Sequence, residues 1–423
     1  MKHLIDTFNQ ASMHDASEYI LKLYEDVSET KEKDNRGFWI NRPLFSHSSL
    51  PDVLGTTEIP IHEFKFDEPF IYCVYVHHNI NLWAKYIHKI PNIILDKVRS
   101  GDCKLIFDDT MEGSPCDKFL NIIYKSIDTL KLPPEQLYFI TNNLLAEKTH
   151  EDWKGQNKDR LYMNVISFMW NVYDIQRLKK INLPDSVNIK TELIYKRDNL
   201  DSIKHFLKVN RTDRFERNLF MLHMNKNNML DNSLLSFPQL PDMNYNDQFK
   251  TLTTIDNINS LRSKTPFHID NTDKTNVGEA GHKIGQFNAD LPFQPMHYRK
   301  SLISLVMCAF PFDDNACHLH SSTYNPMFCG HPVIQFGPYQ HLKEMRNNGF
   351  KTFSKWWDES YDDEKDHWKR FRKVMNVSYK ISKMSIEDVF KMVVEMRGVL
   401  QHNSDLINNY NVDDNLIKKI FKT

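Results

Sequence analysis

Four stretches bring together residue types that could do chemistry. The first is FDDTMEG, residues 107–113, where Asp108, Asp109 and Glu112 follow an apolar run. A carboxylate at such a place can take a proton from an attacking hydroxyl, which makes Asp109 and Glu112 catalytic candidates. The same residues would also serve as an ordinary helix N-cap. The second is VNRTDRFER, residues 209–217, with Asn210, Arg211, Arg214 and Arg217 where an apolar run passes into a helical pattern. Guanidinium forks beside a helix N-terminus suit a diphosphate. Asp213 and Glu216 leave open the alternative of a solvated charged face.

The third stretch is CHLHSSTYNP, residues 317–326. Ser321, Ser322, Thr323, Tyr324 and Asn325 could hydrogen-bond a ribose or phosphate, or simply start a helix. His318, His320 and His331, with Cys317 and Cys329, fit no common zinc spacing, so no metal is expected. The fourth is HPVIQFGPYQHLKEMRNNGFKTFSKWWDESYD, residues 331–362. Gly337 would let backbone approach a ligand, Gly349 would stop the helix before it, and the acidic-aromatic end would open another helix. There is no G-x-G-x-x-G, no Walker A loop, no G-x-S-x-G and no Asp-x-Asp, which disfavours the usual dinucleotide, P-loop and nucleophile-elbow sites.

Something must position these stretches. Short apolar runs, FIYCVYV (70–76), CKLIFDD (103–109), QLYFITNN (136–143), YMNVISF (162–168), KHFLKVN (204–210), SLISLVMC (301–308) and HPVIQF (331–336), alternate with helical patterns. That alternation predicts parallel α/β sheets, and each candidate then lies at the carboxyl end of a strand, where such sheets bind ligands. At 423 residues the chain is too long for one core. Two Rossmann-like lobes are expected, over residues 1–195 and 200–383, with a helical tail over 384–423. With 54 basic against 55 acidic residues, no generally nucleic-acid-coated surface is expected. Six scattered cysteines without a C-x-x-C pair, no leader pattern and no membrane-length apolar run predict a cytoplasmic chain with no membrane span.

HLKEMRNNGFKTFSKWWDESYD, FLKVNRTDRFER, KLIFDDTMEG and LYFITNNLLAEKTHEDW together resemble a family of phage and viral glycosyltransferases distantly similar to α1,3-fucosyltransferases. The resemblance runs from about residue 70 to 375. It implies a GT-B fold with a cleft between two lobes, the acceptor on the first lobe and a nucleotide sugar on the second. It implies Glu112 as general base, with Arg211, Arg214 and Arg217 on the donor diphosphate. The chemistry would be metal-independent and inverting, with no cofactor beyond the nucleotide-sugar co-substrate. The acceptor would be a glycan, a protein or a hydroxylated base of phage DNA. Where the family reads Ser-Glu-Lys-Thr-x-Lys-Pro, this chain has HSSTYNP (320–326), without the Glu and Lys that grip the donor. The alternative reading is therefore a non-catalytic binding or scaffold protein that has kept the fold.

Overall fold

The computed structural model describes residues 2–5, 57–60, 66–75, 87–88, 90–110, 113–169, 172, 200–210, 214–241, 253–269, 295–308 and 310–410. The chain divides into two compact units, Met1–Trp170 with Asn411–Thr423, and Asn171–Tyr410. Both are α/β, each built on a parallel sheet. Of the residues read as a separate helical tail, 384–410 belong to the second unit.

Among the described residues the first unit carries six strands: β1 (Lys2–Ile5), β2 (Thr57–Pro60), β3 (Phe70–Tyr75), β4 (Cys103–Asp109), β5 (Leu137–Thr141) and β6 (Asn164–Ser167), in the order β2-β1-β3-β4-β5-β6. Every pairing is parallel, with Phe70 opposite Cys103 and Asp109 opposite Thr141. The apolar runs of β4 and β5 are buried almost throughout, as expected of strands covered on both faces. Helix α1 (Asn92–Ser100) starts after Pro91 and ends at Gly101, whose φ of 85° lets its N–H reach the Val98 carbonyl. Helices α2 (Asp117–Leu130) and α3 (Ala146–Gln156) follow β4 and β5. Phe119 of α2 packs between Phe107, edge to face, and Phe139, tilted, with ring centroids 6.3 and 4.6 Å away. Full burial of such a ring stabilises by about 2–3 kcal/mol.

The second unit has β7 (Lys204–Val209), β8 (Ser233–Ser236), β9 (Ser301–Met307) and β10 (Val333–Phe336), all parallel, in the order β10-β9-β7-β8. Its helices are α4 (Phe215–Lys226), α5 (Ile255–Lys264), α6 (Pro295–Arg299), α7 (Ser321–Phe328), α8 (His341–Asn347), α9 (His367–Ser382), α10 (Ile386–Glu395) and α11 (Arg397–Asn409). Thr254, Asp366 and Ser385 cap α5, α9 and α10 through their side chains. Helix α10 packs on β7 and β9, and α11 packs on α7. The ring of His205 on β7 meets the Met384 carbonyl at 3.0 Å just before α10. The C-terminal helices thus complete the second sheet's cover. Among the described residues no helix is long and apolar enough to cross a membrane.

Candidate functional site

In the second sheet the chain steps from β7 outward to β8 and then returns to the other side of β7 as β9. Loops leave β7 and β9 in opposite directions, and ligands of parallel sheets settle at such a reversal, beyond the carboxyl ends. Lys208 and Asn210, two residues apart, share one face of β7. Lys208 is only 1% exposed, and its Nζ lies 4.6 Å from the Phe220 ring centroid of α4. No hydrogen bond or carboxylate partner reaches that ammonium among the described residues. Burial first, then the Arg217 charge, pulls its pKa down to about 7, with Cys308 acting weakly the other way.

Asn210 is buried, and its backbone N–H donates to the Ser236 carbonyl at 2.8 Å. Its side-chain Nδ2 is buried without a hydrogen-bond partner among the described residues. Arg214 is the extended N-cap residue of α4, and Arg217 lies in that helix's first turn, both half-buried. The groups gathered here are a buried ammonium, an unpaired amide N–H, two guanidinium side chains and a helix N-terminus. All of them favour an anion. Arg211 lies outside the described residues.

The HSSTYNP stretch is helical. The His320 ring caps α7 by accepting from the Ser322 N–H at 3.3 Å, and Ser321 opens the helix. Ser322 is half-buried, whereas Thr323, Tyr324 and Asn325 are buried. Thr323 accepts a 2.8 Å hydrogen bond from Gln335 Nε2 of β10. Tyr324 packs against Phe350, and burial raises its hydroxyl pKa well above the ordinary value. Expected as donor contacts, Thr323 and Tyr324 instead build the interior of the unit, because α7 turns them onto β10 and the segment after α8.

Gln335 Nε2 also approaches Cys308 Sγ at 2.8 Å and His341 Nε2 at 2.6 Å. Cys317 Sγ meets the opposite ring nitrogen of His341 at 3.5 Å. Burial holds His341 down to about 3 and pushes Cys308 up to about 12, so this cluster is neutral. Two sulfurs on opposite edges of one imidazole do not converge on an ion. Among the described residues no group of three or more His, Cys, Asp or Glu is placed to hold a metal.

Gly337, expected to let backbone approach a ligand, has a different reason to be glycine. A Cβ there would lie 2.6 Å from His341 Cγ. The acidic end of the same segment folds back on it: Asp362 accepts from the N–H groups of Leu342 at 2.7 Å and Lys343 at 2.9 Å, capping α8. Gly349 ends α8 with φ 88°, as its position predicts.

In the first unit, Asp109 is fully buried at the end of β4. Its Oδ2 accepts from Thr141 Oγ1 at 2.7 Å and the Ser114 N–H at 2.8 Å, and its Oδ1 accepts from Ser114 Oγ at 3.0 Å. Asp109, read as a proton acceptor, is a loop anchor, since its lone pairs are spent on the turn that follows. Asp108 accepts from the Thr110 N–H at 3.0 Å. Gly113 takes φ 60° and donates to the Asp109 carbonyl. Glu112 lies outside the described residues. Thr110 Oγ1 and both amide atoms of Asn142 are buried without a hydrogen-bond partner among the described residues.

Comparison with protein-family models, with curated proteins and with solved structures returns no match to this chain. Lys208, Thr110 and Asn142 were not singled out from the sequence. The signal for Lys208 was present, a lysine inside an otherwise buried strand. For Thr110 and Asn142 it was only their place one residue beyond a strand.

Proposed function

We propose that this chain is a metal-independent, inverting glycosyltransferase of the GT-B kind that takes a nucleotide sugar on its second unit. The reading rests on the cationic, donor-rich end of β7, where Lys208 is buried and, among the described residues, no acceptor reaches its Nζ or the buried Asn210 Nδ2. A donor diphosphate would supply the missing acceptors, and Arg214 and Arg217 would meet the charge that grows on it. In the reaction an acceptor hydroxyl oxygen bonds the anomeric carbon while the bond from that carbon to the diphosphate breaks. Its proton passes to Glu112 and the electron pair leaves with the diphosphate. Cations fixed in advance against that leaving group lower the barrier. The acceptor is a glycan, a protein or a hydroxylated DNA base.

A second reading, a binding or scaffold protein without transfer, draws on α7. Where the family's Glu and Lys would grip the donor stand the uncharged Ser321, Ser322 and Asn325, and Asn325 is buried. Thermal unfolding with UDP-, GDP-, CMP- and TDP-sugars, without and with divalent cation, separates the two. A metal-independent rise with one nucleotide supports the transferase. No rise with any of them overturns it in favour of the scaffold.

A further inference from the structure

The carboxyl end of the first sheet differs in chemistry from that of the second. Asp109 and Thr141 face each other in register on β4 and β5, and their side chains are bonded together. One residue further along each strand stand Thr110 and Asn142, on backbones about 4.8 Å apart. Both are at most 1% exposed. Among the described residues Thr110 Oγ1, Asn142 Oδ1 and Asn142 Nδ2 all lack partners, although the neighbouring positions Asp109, Ser114, Thr141 and Asn143 are hydrogen-bonded to one another. Orphaned polar atoms are costly in a protein interior, and three at adjoining positions point to a ligand that completes them.

The nature of that ligand follows from the groups left over. An amide offers one acceptor and two N–H donors side by side, and a threonine hydroxyl offers both roles again. Vicinal hydroxyls match that pattern, because each can donate and accept. An anionic ligand does not match it, since Asp108 and Asp109 are buried at the same strand end. We propose that Asn142 and Thr110 form a binding site for adjacent hydroxyls of a neutral carbohydrate. Binding stands on this geometry alone. That the carbohydrate is the sugar acceptor rests on the transferase reading, and it selects a glycan over a DNA base or a protein side chain.

The test is saturation-transfer NMR on the full chain with methyl α-glucoside, methyl α-galactoside and methyl α-mannoside, and with adenosine as a competing donor–acceptor edge. At least one glycoside should give a saturable signal that falls about tenfold or more in Asn142→Leu and in Thr110→Val. Removing unpaired polar atoms should leave both variants folded. If one fails to fold, the other still reads the site. No glycoside signal from folded wild type, an undiminished signal in both variants, or adenosine binding alone would overturn the proposal. Binding of UDP-, GDP-, CMP- and TDP-sugars measured on the same samples keeps the two readings apart. No glycoside binding by wild type, with nucleotide-sugar binding intact, sinks only this inference. The reverse result sinks only the transferase.

Discussion

A side chain on Gly337 would run into the ring of His341, its Cβ falling 2.6 Å from Cγ and 2.9 Å from Cβ of the histidine. That ring is held at Nε2 by Gln335 and Cys308 and at Nδ1 by Cys317, so it has no room to yield. Gly337→Ala should therefore destabilise the second unit by about 1–3 kcal/mol, the usual cost of overpacking. In a double-mutant cycle with His341→Ala, measured by urea unfolding, the two changes should couple strongly. Additive effects would show that the glycine serves something other than this contact.

Three histidines make the fold sensitive to acid. Burial holds His150 and His223 down to about 4 and His341 to about 3, against 6.5 in the unfolded chain. Between those values the unfolded chain binds more protons than the folded one, so stability falls as pH drops. Each shift is worth roughly 3 kcal/mol or more when fully expressed. His150 lies in the first unit and the other two in the second, so both units should lose thermal stability between pH 6.5 and 4. A flat profile over that window would show these rings to be protonated when folded.

Arg370 is 1% exposed and holds three loops by their backbones. It donates to the carbonyls of Gly337 at 3.0 Å, Glu364 at 2.6 Å and Pro311 at 3.1 Å, and pairs with Asp314 at 3.3 Å. A lysine has the charge but not the planar fork, and would leave buried carbonyls without donors. Arg370→Lys should cost about 3 kcal/mol or more. Retained stability in chemical denaturation would mean that water replaces the guanidinium.

The strands were legible where they were apolar and buried on both faces. CKLIFDD matches β4 at both ends, and SLISLVMC ends one residue beyond β9. β8, SLLS, was not legible, since half of it is serine and it pairs with only one neighbour. The site was legible in part. Spacing put Arg214 and Arg217 at a helix start, where they are. It could not tell a free carboxylate from a spent one, because Asp109 is occupied by Thr141, 32 residues away on the next strand. Nor could it tell an open hydroxyl from a packed one, because Thr323 answers to Gln335 on β10.

Lys208 is where stability and binding should part. Its ammonium is buried against Phe220, with Arg217 nearby and no carboxylate partner among the described residues. Its lowered pKa means that the fold is penalised for keeping this charge at neutral pH. Methionine fills a similar volume without charge, so Lys208→Met should raise the melting temperature of the ligand-free protein by about 2–4 °C. Under the proposed function the same change removes a charge-assisted contact to the donor diphosphate. Binding of whichever of UDP or GDP stabilises wild type should then weaken about tenfold to a hundredfold in titration calorimetry. A variant that is both less stable and equally able to bind would make Lys208 a structural residue and move the diphosphate elsewhere. A variant that is more stable and blind to the nucleotide would mean that the fold keeps a costly buried charge for the sake of its ligand.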